Sequence, residues 1–579
     1  MFYNPAGNNE RGKMQKIIGL AISVVVLLAA GAFFMHRHLN TEIDPAAFVP
    51  ADTLVYVDQH RAEERGKRFL ASPLGKVITA IDLPGLMRDL NAPSDDQANV
   101  RKIVADLKEF ANSKITTELL GDRFILAMLP PRGGAGAADA LSDIRGRLLL
   151  SCKPRHGATA IDLLASLYSG NMTTETVPYG KHTLKRFKNE EISFVACVVE
   201  GWLVTAFDEH TLRESLDIFD AGKNCLAAAE DFKKIVANLS GSEQIAYLRV
   251  DGLAQLVKDS LSHAPEQQNA AALAKQLDAL AGFTAVAYGG SLRDSIVTER
   301  LLISFVAEKA TARVRKLLAA PPQKDALLPH LRDNLLFYSY NGTVNWSDLG
   351  DLPAEDRAAV ENFSGHSIEE LQKMLGDGAF RLFMRNGDGG QTLPLPLINF
   401  CVAAAEPEKL GETASALMTQ AGLDMTKGKF QDATYQVWNK APEKNLRLYS
   451  GLWRGQWCLG NSLDFFKDII QPPQEGASLL ADADFKVVGG DIGQPAQSLA
   501  YIRMDQMFDL LHDAAGWVAT ILAVQNRELS DKARLINERV VFPVLAGAKM
   551  YKRSFSRSIV EGDLLKIDIK TSLAPAESK

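Results

Sequence analysis

Two short runs in the sequence place a phenol, a guanidinium and a carboxylate at alternate positions. They are Tyr247, Arg249 and Asp251, and then Tyr501, Arg503 and Asp505. Alternate residues of a β-strand share one face, so each run could line a groove with these three groups. The same pattern suits an ordinary strand whose Tyr and Arg pack over the sheet, followed by an aspartate that caps a helix. We favour the structural interpretation and keep the groove as a hypothesis.

Aromatic side chains offer a second candidate surface. Trp438, Trp453 and Trp457 lie within twenty residues, and a flat aromatic platform can stack on a glycan. Trp202 lies in an equivalent stretch upstream, and packing across a hairpin is the commoner reason for such a repeat. The residues that we predict for a binding groove are Tyr247, Arg249, Tyr501, Arg503, Trp453 and Trp457.

No known catalytic motif is present in the sequence. There is no HExxH for zinc and no GxSxG serine elbow, and the glycine-rich loops 130–136 and 385–390 lack the lysine of a phosphate-binding loop. We therefore predict no catalytic, cofactor or metal residues, although a nucleophile assembled from distant residues stays possible. Cys152 and Cys401 occupy similar strand positions, and each is interpreted as a small buried hydrophobe.

The charge of the chain is unevenly distributed. The 579 residues have a net charge of −6. The first forty residues carry Arg11, Lys13, Lys16 and Arg37 against Glu10, so the remainder is the more acidic part. An acidic body has no basic field to attract nucleic acid, so we expect no nucleic-acid partner.

The stretch Ile17–Met35 has nineteen residues and no charge, which is just enough for a helix to cross a bilayer. The excess of positive charge before it predicts that residues 1–16 stay in the cytoplasm. We predict a signal-anchor in the bacterial inner membrane, with the body in the periplasm. A cleaved signal peptide is the alternative, since Ala30-Gly31-Ala32 fits a signal peptidase site; both interpretations export the body.

The body contains an internal repeat at a spacing of about 250 residues. Asp231-Phe232-Lys233 matches Asp484-Phe485-Lys486, and the tyrosine runs described above follow each match. We predict two tandem homologous domains, residues 44–320 and 321–573, with a short tail at 574–579. Strand and helix periodicities alternate irregularly in each, which favours an α+β class with mainly antiparallel sheets.

The longest helical pattern begins near Met507 and extends to about Glu538. It includes the apolar stretch from Trp517 to Val524. A helix with this much apolar surface is expected to cover a sheet, and docking a partner or shielding a lipid are alternatives.

Several motifs resemble a known family. A strand with Pro50-Ala51-Asp52-Thr53 and Tyr56 is followed by the Ser-Pro-Leu-Gly of 72–75 and by the Gly-Trp-Leu-Val of 201–204. Together with the membrane segment, they resemble the bacterial domain-of-unknown-function family 3352, once per copy. In the second copy these motifs become Leu331–Asn334 and Gly451–Arg454. The resemblance implies an exported or anchored protein and no particular activity.

These observations favour a non-catalytic binding or scaffold protein of the cell envelope. Its partners would be the inner membrane through residues 17–35 and an envelope protein, a lipid or a glycan. An exported hydrolase with a spatially assembled site and a lipid-binding carrier or chaperone are the alternatives.

Overall fold

The computed structural model describes the body of the chain with several gaps. The described residues are 44–112, 123–132, 143–154, 173–189, 193–262, 273, 276–342, 344, 346–387, 395–439, 448–474, 476–490 and 492–575. The predicted cytoplasmic tail and membrane segment lie outside them.

The chain forms two compact units, and each is assembled from more than one stretch of sequence. Among the described residues, the first unit comprises those within 44–72, those within 83–278 and Ala285–Gly289. The second comprises Pro73–Asp82, Ala279–Thr284 and Gly290–Lys579.

The first unit is built on an antiparallel sheet. Its strands are β1 (Val55–His60), β2 (Arg123–Met128), β3 (Leu148–Cys152), β4 (Thr173–Tyr179), β5 (His182–Lys188), β6 (Ser193–Val199), β7 (Trp202–Ala206) and β8 (Gln244–Arg249). Their order across the sheet is β8-β1-β2-β3-β7-β6-β5-β4, and every pairing is antiparallel.

The second unit repeats this order. The strands that follow in the chain are β9 (Phe283–Arg293), β10 (Ile296–Phe305), β11 (Phe337–Asn341), β12 (Phe380–Arg385), β13 (Leu397–Val402), β14 (Asp424–Phe430), β15 (Ala433–Asn439), β16 (Leu448–Trp453), β17 (Gln456–Gly460), β18 (Ser498–Arg503), β19 (Tyr551–Glu561) and β20 (Leu564–Leu573). The order β18-β11-β12-β13-β17-β16-β15-β14 corresponds strand by strand to that of the first sheet. Strands β19, β20 and β10 extend the second sheet beyond β18.

The described residues also form a series of α-helices. In chain order they are α1 (Ala62–Ala71), α2 (Pro73–Ala80), α3 (Leu83–Asp89), α4 (Ser94–Asn112), α5 (Glu209–Ala221), α6 (Glu230–Ala237), α7 (Val250–Ser262), α8 (Ala312–Ala319), α9 (Ala354–Ser364), α10 (Ile368–Leu375), α11 (Pro407–Gln420), α12 (Leu463–Ile470), α13 (Ala483–Val488), α14 (Met504–Gln525), α15 (Arg527–Ile536) and α16 (Phe542–Ala548). The α+β class with a large antiparallel sheet is thus confirmed.

Side-chain caps fix where several of these helices begin. The carboxylate of Asp208 accepts from the backbone N–H of Thr211 at the start of α5, and Asp482 does the same for Phe485 in α13. Ser462 caps α12. Each such cap is worth about 1 kcal/mol because it satisfies an N–H that the helix leaves unpaired.

The aromatic core of each sheet is centred on a pair of tyrosines in neighbouring strands. In the first unit Tyr56 lies opposite Tyr247, and the ring of Phe232 packs edge-on against both, at 5.4 Å and 5.2 Å between centroids. In the second unit Tyr338 lies opposite Tyr501, and Phe485 packs edge-on against Tyr501 at 5.1 Å. The phenylalanine of the repeated Asp-Phe-Lys motif is therefore the residue that packs against the strand tyrosine in both units.

The long helix expected over 507–538 is interrupted. α14 ends at Gln525. The next residue, Asn526, has an extended backbone that breaks the helix, and its side chain caps α15 by accepting from Leu529 N at 3.2 Å. A π-helical turn, Asn537–Val541, follows, and the Phe542 N–H donates to the carbonyl of Asn537. This wider turn precedes Pro543, which has no N–H to donate to the carbonyl four residues earlier.

Strand register corrects one sequence correspondence. The hairpin β6-β7 turns at Glu200-Gly201 and the hairpin β16-β17 turns at Arg454-Gly455; all four residues have positive φ. Gly201 therefore corresponds to Gly455. The counterpart of the Gly-Trp-Leu-Val motif is thus 455–458, and the correspondence with 451–454 was wrong by four residues. Trp202 is the first residue of β7, after its turn, whereas Trp453 is the last residue of β16, before its turn, so the two are not equivalent.

Gly451 offers a test of packing in the second core. It lies in β16 opposite Tyr435 and Cys458, and a Cβ built on it would lie 2.5 Å from Cζ of Phe466. Gly451→Ala should lower the free energy of unfolding by about 1–3 kcal/mol, because the buried ring has to move. Urea unfolding followed by circular dichroism measures the change.

Gly490→Ala is the matched control, since a Cβ there meets nothing within 4 Å. Equal stability of the two variants would contradict the close packing of β16 on α12.

Candidate functional site

A buried cluster of ionisable groups lies between β1 and β2 in the first unit. Asp58 accepts hydrogen bonds from Nε and Nη2 of Arg123 at 2.9 Å and 2.5 Å. The hydroxyl of Tyr56 donates to the same carboxylate at 3.3 Å, and Nε2 of His60 lies 3.5 Å from it. The arginine is planar and bidentate, so it holds the carboxylate in one orientation.

The second unit contains a cluster of the same three residue types. The buried carboxylate of Asp325 accepts from the hydroxyl of Tyr338 and from Nε of Arg381, the latter at 2.7 Å. Nη1 of Arg381 also donates to Gln456 at 3.1 Å, and its guanidinium lies 5.1 Å from the ring centre of Tyr340. Asp58 lies on the same strand as Tyr56, whereas Asp325 lies in the segment before β11. The two units therefore build the same set of contacts from different positions in the chain.

The electrostatics of the cluster around Asp58 indicate a structural role. Burial by itself raises the pKa of Asp58, but the hydrogen bonds and charges of Arg123 and His60 outweigh it and lower the pKa to about 2. Burial, with the neighbouring charge of Asp58, raises the pKa of Tyr56 well above its usual value. A carboxylate that is ionised and saturated with donors is a poor general base, because it would have to abandon its partners to take up a proton.

The structure places the predicted tyrosines Tyr247 and Tyr501 in the cores described above. Burial raises the pKa of Tyr247, and it raises that of Tyr501 to about 12 despite the nearby charges of Arg553 and Arg503. Both rings serve as packing surfaces within the sheets.

The predicted arginines bind backbone carbonyls. Nη2 of Arg249 donates to the carbonyl of Ala51 at 2.8 Å, and Nη1 of Arg503 donates to that of Asp333 at 2.9 Å. Each arginine thus ties the end of its strand to the segment that precedes the tyrosine strand of the same unit. The repeated Tyr-x-Arg pattern is explained by these contacts.

The aspartates of the two runs are the second residues of α7 and α14, so the prediction that they cap these helices was wrong. Asp505 also forms an ion pair with Nη1 of Arg553 at 3.0 Å.

Of the predicted tryptophans, Trp453 is buried and Trp457 is partly buried. Nε1 of Trp453 donates to Asp432 at 3.0 Å, and the ring meets His330 edge-on at 5.1 Å. Nε1 of Trp457 donates to Ser450 at 2.9 Å. Trp438 is also buried. These indoles belong to the packing of the second unit rather than to an exposed flat platform.

A disulfide joins Cys401 to Cys458 across the neighbouring strands β13 and β17. The interpretation of Cys401 as a free buried hydrophobe was therefore wrong, whereas Cys152 is a buried free thiol. Burial raises the pKa of Cys152 to about 12, so this thiol is inert near neutral pH.

Strand register also shows which residues occupy the place of this disulfide in the first sheet. Counting from the paired tyrosines across each sheet, Ser151 takes the place of Cys401 and Val204 that of Cys458. Cys152 lies one position further along. The first unit thus holds two buried non-bonded side chains where the second has a covalent link.

Over the described ranges, no group of three or more His, Cys, Asp or Glu side chains is placed to hold a metal ion. The loops 130–136 and 385–390 connect adjacent antiparallel strands, although part of each lies outside the described residues.

Comparisons with known proteins add little to this picture. No family model matches the sequence, and no curated protein matches it. Crystal forms IV and III of TP0453 match with TM-scores of 0.23 at 12% sequence identity. The matches cover 45% and 48% of this chain and 81% and 87% of that one. Similarity this weak carries no argument, and membership of family 3352 stays a prediction.

The buried Asp58 should make stability depend on acid. Its pKa is about 2 in the folded chain and 3.8 ordinarily, so its ionised form stabilises the fold above about pH 4. Roughly 2 kcal/mol of stability is lost as the pH falls through 2. Asp58→Asn should lose about 3–5 kcal/mol at neutral pH, because Arg123 is left unpaired, and should not show this acid dependence.

Urea unfolding at neutral and acid pH measures both effects. Asp278→Asn removes an exposed carboxylate of the same unit that pairs with Lys258 at 2.7 Å, and it should cost at most about 1 kcal/mol. Equal losses for the two variants would refute the special role of Asp58.

The disulfide should also contribute measurably to stability. It closes a loop with a sequence separation of 57, for which chain entropy gives about 4 kcal/mol. Reductant should therefore lower the urea midpoint of the wild type. The double variant Cys401→Ala and Cys458→Ala should start lower and not respond to reductant; a response of equal size in that variant would show that another linkage is being reduced.

Proposed function

We propose that this chain is a membrane-anchored extracytoplasmic protein of the bacterial cell envelope, and that its body is a binding or scaffold module made of two copies of one α+β domain. The observation that carries the proposal is the disulfide between Cys401 and Cys458. Stable structural disulfides form in oxidising compartments such as the periplasm and are rare in the cytosol. The bond therefore supports the export predicted from residues 17–35.

The proposed duplication is supported by topology. Eight strands of each unit follow one another in the same order, and the two tyrosine pairs lie at corresponding register positions. Two hairpins also turn through corresponding pairs of residues with positive φ, Glu200-Gly201 and Arg454-Gly455. Agreement at the level of order, register and turn is what gene duplication of one domain would produce.

A binding role is preferred to catalysis because the buried carboxylates already have their hydrogen-bond donors. The clusters around Asp58 and Asp325 are closed by their own arginines and tyrosines. A spatially assembled hydrolase site would need a nucleophile beside a base that is free to accept its proton. A lipid-binding carrier or chaperone stays the alternative function.

The proposed anchor can be tested by a single charge. Val25 lies in the middle of the uncharged stretch. Val25→Arg should reduce membrane insertion, because an arginine at the centre of a spanning helix costs about 3 kcal/mol. The measurement is the fraction of full-length protein that stays in the membrane pellet after alkaline carbonate extraction.

Val25→Leu is the matched control and should remain in the pellet like the wild type. The intact mass of the wild type, measured as isolated and after organic extraction, completes the test. A chain that starts near Phe33 would contradict the anchor, and an adduct lost on extraction would favour the lipid carrier over the scaffold.

A further inference from the structure

The helices α14 and α15 form an antiparallel hairpin in the second unit. Ser530 donates to the carbonyl of Ala519 at 2.8 Å, and Asn537 donates to that of Ala515 at 2.8 Å, so the chain runs back along α14 after Asn526. These two bonds hold the far half of the hairpin together.

The near half of α14 is fixed to the rest of its unit by charges. Asp505 pairs with Arg553 at 3.0 Å and with Lys552 at 3.7 Å, and Asp509 pairs with Lys549. The acidic end of α14 is therefore neutralised by the basic segment at the start of β19. The opposite end of the hairpin, where α14 connects to α15, is the end available for a contact outside the unit.

That other end is apolar and exposed. Residues 514–525 contain no charged side chain. Val524 is 88% exposed, and Val518, Ile521 and Leu529 are about half exposed. We call these four residues the apolar tip. No residue of α14 or α15 is fully buried, and α14 is the one described helix that is long and apolar enough to be a candidate membrane span.

We infer that the apolar tip inserts into the surface of the lipid bilayer and gives the protein a second membrane contact besides the proposed anchor. This inference rests on the proposed function, since it is the anchor that holds the body beside a membrane. The uncharged stretch of α14 is about 18 Å long, which is too short to cross a hydrocarbon core of about 30 Å. It suits a helix end that enters the boundary between headgroups and acyl chains.

The charges around the tip fit a phospholipid surface better than a second copy of the chain. α15 and the π-turn that follows carry four cations and three carboxylates; the cations are Arg527, Lys532, Arg534 and Arg539. Arg527 is exposed at the tip end and has no ion-pair partner within the described ranges. Such a cation beside apolar side chains complements an anionic headgroup. Two tips packed together would bring the two copies of Arg527 close to each other.

The segment that joins the proposed anchor to the body is short, so a weak contact between the apolar tip and the bilayer is sufficient. Eight residues separate the end of the proposed anchor at Met35 from Asp44, the first described residue. Even fully extended they span at most about 29 Å. A body held this close meets the bilayer at a high effective concentration, so a few apolar side chains can keep the tip inserted.

The inference can be tested on the full-length chain in vesicles of phosphatidylethanolamine and phosphatidylglycerol. A nitrobenzoxadiazole probe is attached to Val524→Cys; the native cysteines are either buried or disulfide-bonded and should not react in the folded protein. The matched control is Phe363→Cys, an apolar site on α9 of the same unit that is 67% exposed.

We expect the Val524 probe to be several-fold brighter in vesicles, shifted to the blue and quenched by doxyl-labelled lipid. The Phe363 probe should remain quenched by aqueous iodide. Adding Val518→Asp and Ile521→Asp to the Val524→Cys chain should make its probe accessible to aqueous iodide again. The chain itself should remain in the membrane.

Two results would overturn the inference. In the first, the Val524 probe is as accessible to iodide as the Phe363 probe in chains that resist carbonate extraction. In the second, the Val524 probe is shielded from iodide but not quenched by doxyl lipid, which would assign the tip to a second copy of the chain. Release of the wild-type chain by carbonate would instead refute the anchor, and the probe would still report separately whether the tip binds lipid.

Discussion

Each sheet is organised around a buried tyrosine hydroxyl that has to find a hydrogen-bond acceptor, and in both units a buried carboxylate provides it. The carboxylate in turn requires a cation, so Arg123 in one unit and Arg381 in the other extend from the neighbouring strand to reach it. An unpaired charge at this depth would cost several kcal/mol. The tyrosine, the aspartate and the arginine therefore depend on one another, and the pairing of the tyrosine strand with the arginine strand depends on all three.

The sequence predicts the elements around this centre better than the centre itself. The alternation of side chains between two faces around Tyr247 and Tyr501 predicts their strands. The repeated Asp-Phe-Lys motif indicates the helix that packs on them. The ion pair of Asp325 with Arg381 joins residues that are 56 positions apart, which no local pattern reveals. Asp58 did leave a signal, because a carboxylate at an inward position of a hydrophobic strand implies a buried partner.

Register explains the remaining differences between expectation and structure. Comparison of the two repeats by residue type aligned Gly201 with Gly451 and Cys152 with Cys401. A shift of a single residue in such an alignment moves a side chain to the other face of a sheet. The positive φ of Gly201 and Gly455 identifies the true equivalents, since the turn of a tight hairpin requires that conformation. The disulfide lies on the face where the first unit has Ser151 and Val204, so its partners could be named only once the strands were paired.

The second unit is discontinuous in the chain, and this has a consequence for how the protein is made. Helix α2 lies in the first hundred residues but belongs to the second unit, where a Cβ on Gly547 of α16 would lie 2.9 Å from Cα of Leu74. Strand β10 likewise has to wait for β20, the last strand of the chain. During synthesis β10 can pair with β9, but its other edge and α2 lack their native partners until α16 and β20 have been made. Such long-range pairing folds slowly and leaves an unpaired edge open to aggregation, so a nascent chain of this protein needs protection until β20 has been made.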